Sequence, residues 1–184
     1  MSYYEDKIFD NSIINKGEYE ACTFQNCNFA ECDLSGFKFL GCTFKSCNIS
    51  SAILHKTSLQ DISFEDCKMI GLRFDDCNKF GLAFSFTDCL LDYSSFLKSK
   101  LKKTVFRNCK LLGVDFAECD MEGAVFDNCN MEQAVFDHTN LEKTDLRTSY
   151  NYSINPEQNR VRKARFSLSG LGGLLEKYDI RIEK

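Results

Sequence analysis

A large apolar residue returns at every fifth position through residues 104–146: Phe106, Leu111, Phe116, Met121, Phe126, Met131, Phe136, Leu141 and Leu146. Two positions before each stands a smaller one: Thr104, Cys109, Val114, Cys119, Ala124, Cys129, Ala134, Thr139 and Thr144. A period of five suits neither regular element. On an α-helix each step of five rotates the side chain by about 140°, which smears the apolar set around the axis. On a straight strand the side-chain period is two, so the face would flip at every repeat. The apolar set stays inside only if the backbone turns a corner within each repeat. The chain must therefore wind as a coil of short, flat sides.

The number of sides follows from the phenylalanines. Phe24, Phe44, Phe64 and Phe84 are spaced by twenty, and after a two-residue insertion Phe106 and Phe126 extend the column. Four sides of five residues place these rings in one stack, whereas three sides would scatter them. At about 4.8 Å per coil, about seven coils make a rod of about 34 Å.

Toward the N-terminus the phase starts at Phe9, with Ile14 and Tyr19 following. Lys7 and Ser12 replace the usual small residue, as in an edge coil or cap. Phe37, Ile62 and Leu72 stand where a small residue is usual, so those sides must bulge or repack. Lys79 falls on a centre, where a buried ammonium is costly, so its side is expected to be displaced and Lys79 to reach solvent. Phe84 and Phe86 compete for the next centre, and the phase shifts by two before Leu91. The patch from Asn78 to Asp92 reads either as a β-bulge or as a side chain re-aimed at a partner.

The pattern breaks again from Ser149 to Glu157, yet Ala164 and Phe166 lie twenty beyond Thr144 and Leu146. A last coil is expected around a loop at Asn155-Pro156. Leu168 to Tyr178 reads as a short helix with Leu168, Leu171, Leu174, Leu175 and Tyr178 on one side, weakened by Gly170, Gly172 and Gly173. Ile180 and Ile182 alternate with charges as in a strand. Together they would cap the last coil and offer an exposed remainder for a two-fold contact. The expected organisation is an edge or cap over 1–18, a β-helix over 19–148, and an irregular coil with a capping, dimerising tail over 149–184.

All eleven cysteines lie two before a centre, so they are expected to point inward as small hydrophobes rather than to form disulfides. The odd count and the lack of a basic, apolar leader fit a reducing cytoplasm. A zinc site is disfavoured, because there is no C-x-x-C pair and the histidines are His55 and His138 alone. No cofactor motif, nucleophile elbow or phosphate loop occurs, so the reading is non-enzymatic.

The net charge of −4 is uneven. Residues 98–110 hold Lys98, Lys100, Lys102, Lys103, Arg107 and Lys110 with no acid. Residues 111–146 hold Asp115, Glu118, Asp120, Glu122, Asp127, Glu132, Asp137, Glu142 and Asp145 against Lys143 alone. Five of these acids directly follow a centre, so they ring the rod. An acidic rod repels nucleic acid but attracts a basic groove that binds it. Solubility is the competing explanation of the same charges.

The small–polar–large pattern, as in Ala124-Val125-Phe126 and Cys129-Asn130-Met131, resembles the pentapeptide repeat proteins. The resemblance covers nearly the whole chain and implies an all-β, right-handed quadrilateral β-helix. Asn155-Pro156-Glu157-Gln158-Asn159-Arg160, the later Gly173-Leu174-Leu175-Glu176-Lys177 and the patch Phe84-Ser85-Phe86-Thr87-Asp88-Cys89 are similar to the quinolone-resistance and microcin-immunity branch. That branch implies a homodimer through Leu168, Leu171, Leu174, Leu175, Tyr178, Ile180 and Ile182. It also implies a DNA-mimicking belt of Asp115, Glu118, Asp120, Glu122, Asp127, Glu132, Asp137 and Glu142 that meets a type II topoisomerase, DNA gyrase or topoisomerase IV. The chain departs from the larger quinolone-resistance proteins in lacking long loops between coils. A β-helical interaction scaffold with no topoisomerase role is the alternative. Neither reading calls for direct nucleic-acid or membrane contact.

Overall fold

The computed structural model describes residues 2–9, 15–181 and 183. Ser12, Ile14 and Ile182 lie outside them. Ten short strands occur in chain order: β1 (Tyr3–Glu5), β2 (Glu18–Glu20), β3 (Thr23–Gln25), β4 (Lys38–Leu40), β5 (Thr43–Lys45), β6 (Ser58–Gln60), β7 (Ile62–Glu65), β8 (Phe84–Thr87), β9 (Val105–Arg107) and β10 (Val125–Asp127). One wall is a seven-stranded parallel sheet in the order β1-β3-β5-β7-β8-β9-β10, so six full turns separate its first and last strands. The bridges Val125↔Asp145 and Asp145↔Arg165 carry that wall two rungs further. A second wall stacks β2-β4-β6. The remaining walls are joined by single parallel bridges, such as Asn28↔Asn48 and Asp115↔Val135. The fold is a four-sided parallel β-solenoid.

Corners explain why five residues make a side. The second residue after a centre adopts a left-handed conformation, as at Asn26 (φ 52), Glu118 (φ 54), Gln133 (φ 57) and Lys143 (φ 60). That conformation costs an L-residue about 1–2 kcal/mol. Hydrogen bonds between coils offset it. Asn26 N donates to Lys45 O at 2.9 Å and Glu118 N to Asp137 O at 2.7 Å, so the corner amide itself is satisfied one coil on.

The small inward residue also satisfies the backbone. Thr57 Oγ1 donates to Leu34 O at 2.7 Å, Ser94 Oγ to Met69 O at 2.7 Å, Thr139 Oγ1 to Phe116 O at 2.8 Å and Cys119 Sγ to Phe96 O at 2.9 Å. Each acceptor is a centre residue of the preceding coil, in the wall before the donor's own. Buried carbonyls need such partners. The preference for Cys, Ser and Thr at this position is therefore chemical as well as steric.

The aromatic column on the seven-stranded wall runs Tyr4, Phe24, Phe44, Phe64, Phe86, Phe106, Phe126, with stacked centroids 4.8–5.3 Å apart. Two sequence expectations are corrected here. The phase begins one side earlier than Phe9, at Tyr4. The fifth ring is Phe86 rather than Phe84, because β7 and β8 align Phe64 with Phe86 and Ile62 with Phe84. The two extra residues therefore lie before Phe84, within 78–83.

Packing accounts for that shift. Lys79, Phe80 and Gly81 are exposed, so no buried apolar centre comes from this side; Leu82 packs partly on the core and Lys79 Nζ reaches the buried Ser99 hydroxyl at 3.2 Å. Phe84, at the small-residue position, fills the space and meets the rings of Phe74, Phe86 and Phe96 at 5.1–6.0 Å. Phe37, Ile62 and Leu72 are likewise buried and repacked; Phe37 stacks on Tyr19 and Phe39.

The last coil closes as expected, with Asn140↔Arg160 and Asp145↔Arg165. The tail is less regular than a single helix: 3-10 turns at Leu168–Gly170 and Glu176–Tyr178 flank a four-residue α1 (Gly172–Leu175). Of the expected strand at Ile180–Ile182, Ile180 and Arg181 belong to no strand, which corrects that part, and Ile182 lies outside the described residues. A lone strand needs a neighbour, and the chain turns away through left-handed Asp179. Gly170 and Gly173 set the docking of the cap. A Cβ at Gly170 would lie 1.9 Å from Tyr152 Oη, and one at Gly173 2.1 Å from Tyr152 O.

Thr139→Val keeps the shape of the side chain and removes one of the two hydrogen bonds to the Phe116 carbonyl, which keeps the Cys119 amide at 3.2 Å, so it should cost about 0.5–1.5 kcal/mol. Thr139→Ser should cost much less. Thermal unfolding of both variants checks this; a valine variant as stable as wild type removes the inward hydrogen bond from the account.

Candidate partner-binding surface

The twenty-residue pitch decides where each charge of the acidic belt sits. Residues twenty apart share a wall, so the basic run at 98–110 lies one coil before the acids at 118–130. The charges pair across that gap. Lys98 meets Glu118 at 3.3 Å, Lys102 meets Asp120 at 3.3 Å and Glu122 at 3.0 Å, and Arg107 meets Asp127 at 3.2 Å. From the C-terminal side, Arg160 reaches Glu142 at 2.8 Å and Arg165 reaches Asp145 at 3.2 Å. Lys143, from the coil that follows, closes on Glu122 as well. His138 Nδ1 lies 2.8 Å from Asp137.

Sequence reading placed the belt acids around the rod, and the structure distributes them over all four walls. Asp120, Glu122 and Glu142 share one wall, Asp127 lies on the seven-stranded wall, Glu132 on the next, and Asp115, Glu118 and Asp137 on the fourth. Among the described residues, Asp115 and Glu132 are the belt acids with no ion pair within 4.0 Å. Sequence reading missed the cations that offset the belt. The signal was available, because Lys98, Lys102 and Arg107 each stand twenty before an acid.

The proposed dimerisation residues also divide. Leu168 is 87 % exposed, and Leu171, Tyr178 and Ile180 are exposed too. Leu174 instead packs on the core of the last coil, and Leu175 is half-buried. Ile182 lies outside the described residues. Glu157 ties the tail to the rod, accepting from Tyr178 Oη at 2.9 Å and pairing with Lys177.

All eleven thiols are buried, and none forms a disulfide among the described residues. Cys27, Cys47, Cys67, Cys89, Cys109 and Cys129 form one internal column, their following residues bridged coil to coil. Burial pushes Cys77 and Cys119 up to about 12, Cys77 despite the nearby Lys79 ammonium. Neighbouring thiols and burial push Cys67 and Cys109 up as well. Held protonated in a packed core, these four thiols are poor nucleophiles. No helix among the described residues is long and apolar enough to cross a membrane.

Known proteins agree with this architecture. The family description "Pentapeptide repeat region" matches residues 17–96, and "Pentapeptide repeats (8 copies)" matches 85–123 and 115–149. The chain belongs to the pentapeptide repeat family. Among solved structures, a trypsin-treated variant of QnrB1, described as a plasmid-mediated fluoroquinolone resistance protein, is similar at 22 % identity and a TM-score of 0.50, covering 99 % of this chain and 98 % of that one. Full-length QnrB1 is similar at 19 % identity and a TM-score of 0.50, covering 97 % of each chain. At these identities the likeness is one of fold. No curated protein is a significant match.

The ion-pair ladder has a pH signature. Lys143 and Lys102 hold the Glu122 carboxyl down at about 2 from an ordinary 4.5. A carboxylate whose folded value is depressed adds stability above its unfolded value and loses it as pH falls through the folded one. The contribution of Glu122 should therefore be whole above about pH 4.5 and fade toward about pH 2. Urea unfolding of wild type and Glu122→Gln at about pH 5 and about pH 2.5 checks it. The gap between the two proteins should shrink at the lower pH; a constant gap refutes the assignment.

Proposed function

We propose that this pentapeptide repeat protein acts without catalysis, in the cytoplasm, by binding a type II topoisomerase in place of DNA and shielding it from quinolone-like inhibitors or toxins. The observation that carries the reading is the likeness to QnrB1 over 99 % of this chain and 98 % of that one. The rod supports it through acids on every wall. Exposed ion pairs contribute only about 0–1 kcal/mol each, so a basic groove can take acids over from their lysines. Asp115 and Glu132 need no such exchange.

One observation favours the alternative, a β-helical interaction scaffold with another partner. The pairing of Lys98, Lys102, Arg107 and Arg160 with belt acids lowers the negative potential that mimicry uses. Supercoiling by DNA gyrase, with and without a quinolone, separates the two. The proposal expects inhibition or drug rescue at micromolar protein, and at least a tenfold loss of potency in Asp115→Lys with Glu132→Lys, which breaks no ion pair. An inert wild type, or a fully active double variant, overturns the mimicry.

The same reading includes a homodimer through the exposed part of the tail. Leu168→Asp with Leu171→Asp should shift sedimentation from dimer to monomer mass while the melting curve holds. A wild type that sediments as a monomer removes the dimer from the reading.

A further inference from the structure

Six thiols stand in file inside the rod. Cys27, Cys47, Cys67, Cys89, Cys109 and Cys129 take the inward position of one wall, and the residues after them are bridged from coil to coil, ending with Lys110↔Asn130 and Asn130↔Tyr150. All six are at most 2 % exposed. Thr57, Ser94 and Thr139 serve as inward donors on other walls, so packing alone does not call for six thiols in succession.

The file ends at a cavity. Ser149 takes the next place, one coil beyond Cys129; its Oγ accepts from Cys129 N at 3.0 Å and donates to Phe126 O at 2.9 Å. Ser149 also lines a cavity of about 260 Å³ beneath the C-terminal cap, together with Tyr152, Ser169, Gly170 and Gly173. Tyr152 is 5 % exposed, and its buried hydroxyl has no hydrogen-bond partner among the described residues. One serine therefore separates the last pair of thiols from a polar chamber.

Spacing selects the chemistry of that pair. Parallel coils repeat at about 4.8 Å, which holds stacked Cβ atoms beyond the roughly 3.5–4.5 Å that a disulfide spans. Two metal–thiolate bonds of about 2.3 Å in line reach about 4.6 Å. A two-coordinate ion therefore fits between sulfurs that a disulfide would have to pull together. Among the described residues no three His, Cys, Asp or Glu side chains gather around one point, so four-coordinate zinc lacks ligands. Little hydrogen bonding is given up, since Cys109 Sγ donates to Arg107 O at 3.3 Å and Cys129 Sγ to Phe106 O at 3.4 Å, and thiols are weak donors.

Charge narrows the choice further. An unpaired charge in a packed core is costly. Thiolates select soft ions, and a soft divalent ion that replaces two thiol protons leaves the pair neutral. The mercuric ion combines softness, a charge of two and in-line coordination.

We propose that Cys109 and Cys129 form a mercuric-ion site reached from the cavity under the cap. Two S–H bonds break and two Hg–S bonds form, with no change of oxidation state: 2 RSH + Hg2+ gives RS–Hg–SR + 2 H+. Ligation drives off the protons that burial otherwise holds on the thiols. The site ties the last two thiol-bearing coils together directly beneath the cap, and it does not depend on the topoisomerase reading.

Reduced protein titrated with mercuric chloride against an excess of a small monothiol tests this. The folded chain should retain one equivalent, native mass should show one mercury in place of two protons, and the melting temperature should rise. Cys109→Ser with Cys129→Ser should weaken that equivalent at least tenfold, while Cys27→Ser with Cys47→Ser, at the far end of the file, should leave it unchanged. Failure of folded wild type to retain mercury overturns the site, as does equal retention by the Cys109 and Cys129 double variant. Uptake that proceeds only with loss of the β-sheet circular dichroism overturns it too, and so does zinc held as tightly as mercury. Should the double variant fail to fold, anomalous diffraction from mercury-soaked wild-type crystals decides: a peak between the Cys109 and Cys129 sulfurs supports the site, and a first peak elsewhere refutes it.

Discussion

Hydrogen bonds between backbone groups twenty residues apart hold this molecule together. They are available because the chain turns left-handed at the second residue after most centres, which brings the next coil back over the last. Most corner amides donate to a carbonyl one coil on, and Asn128 N donates to the Thr148 hydroxyl instead. Once that pitch is set, other features follow as consequences. Centres stack on centres, inward hydroxyls and thiols reach the carbonyls of the coil before, and surface charges meet partners from adjacent coils. In a repeat architecture each coil is stabilised by its neighbours, so one repeated geometric choice propagates through the rod.

Such a structure tolerates irregularity when volume is conserved. The side between Cys77 and Ala83 withdraws its inward group, and Phe84 replaces the lost volume from the neighbouring wall. Interiors at crystal-like density do not accept either change alone. The pair of changes leaves the column continuous, with Phe64 and Phe86 at 5.3 Å, and frees a short surface segment from packing duty. The C-terminal end shows the same economy. Two glycines without side chains let the tail lie directly on Tyr152, and the tail's own polar contacts to Glu157 hold it there.

The charges change meaning between one dimension and three. Along the chain a block of lysines precedes a block of acids. Around the rod the two blocks face each other, because their separation equals one coil. What reads as segregated charge becomes a ladder of ion pairs, with Glu122 held by Lys102 and Lys143 at once. Among the described residues of the two blocks, Asp115 and Glu132 on one hand and Lys100, Lys103 and Lys110 on the other stay outside the ion pairs and are a truer map of where a charged partner would be felt.

The five-residue period, the twenty-residue column and the inward placement of the cysteines were fixed by the order of residues alone, because only a four-cornered coil keeps Phe24, Phe44 and Phe64 on one side. The pitch also encoded the ion pairs, although they are legible only by counting in twenties. Competing residues were settled by the folded chain. Phe84 and Phe86 are equally good centres in the sequence, and the empty wall at Lys79–Gly81 decided between them by leaving space for only one to fill sideways. The tail was decided in the same way. Gly170 and Gly173 weaken a helix in isolation, but against Tyr152 they are what lets the cap dock, and Ile180 found no neighbouring strand to make its alternation count. Local pattern determines what repeats, and contacts between distant coils determine what happens where the repeat fails.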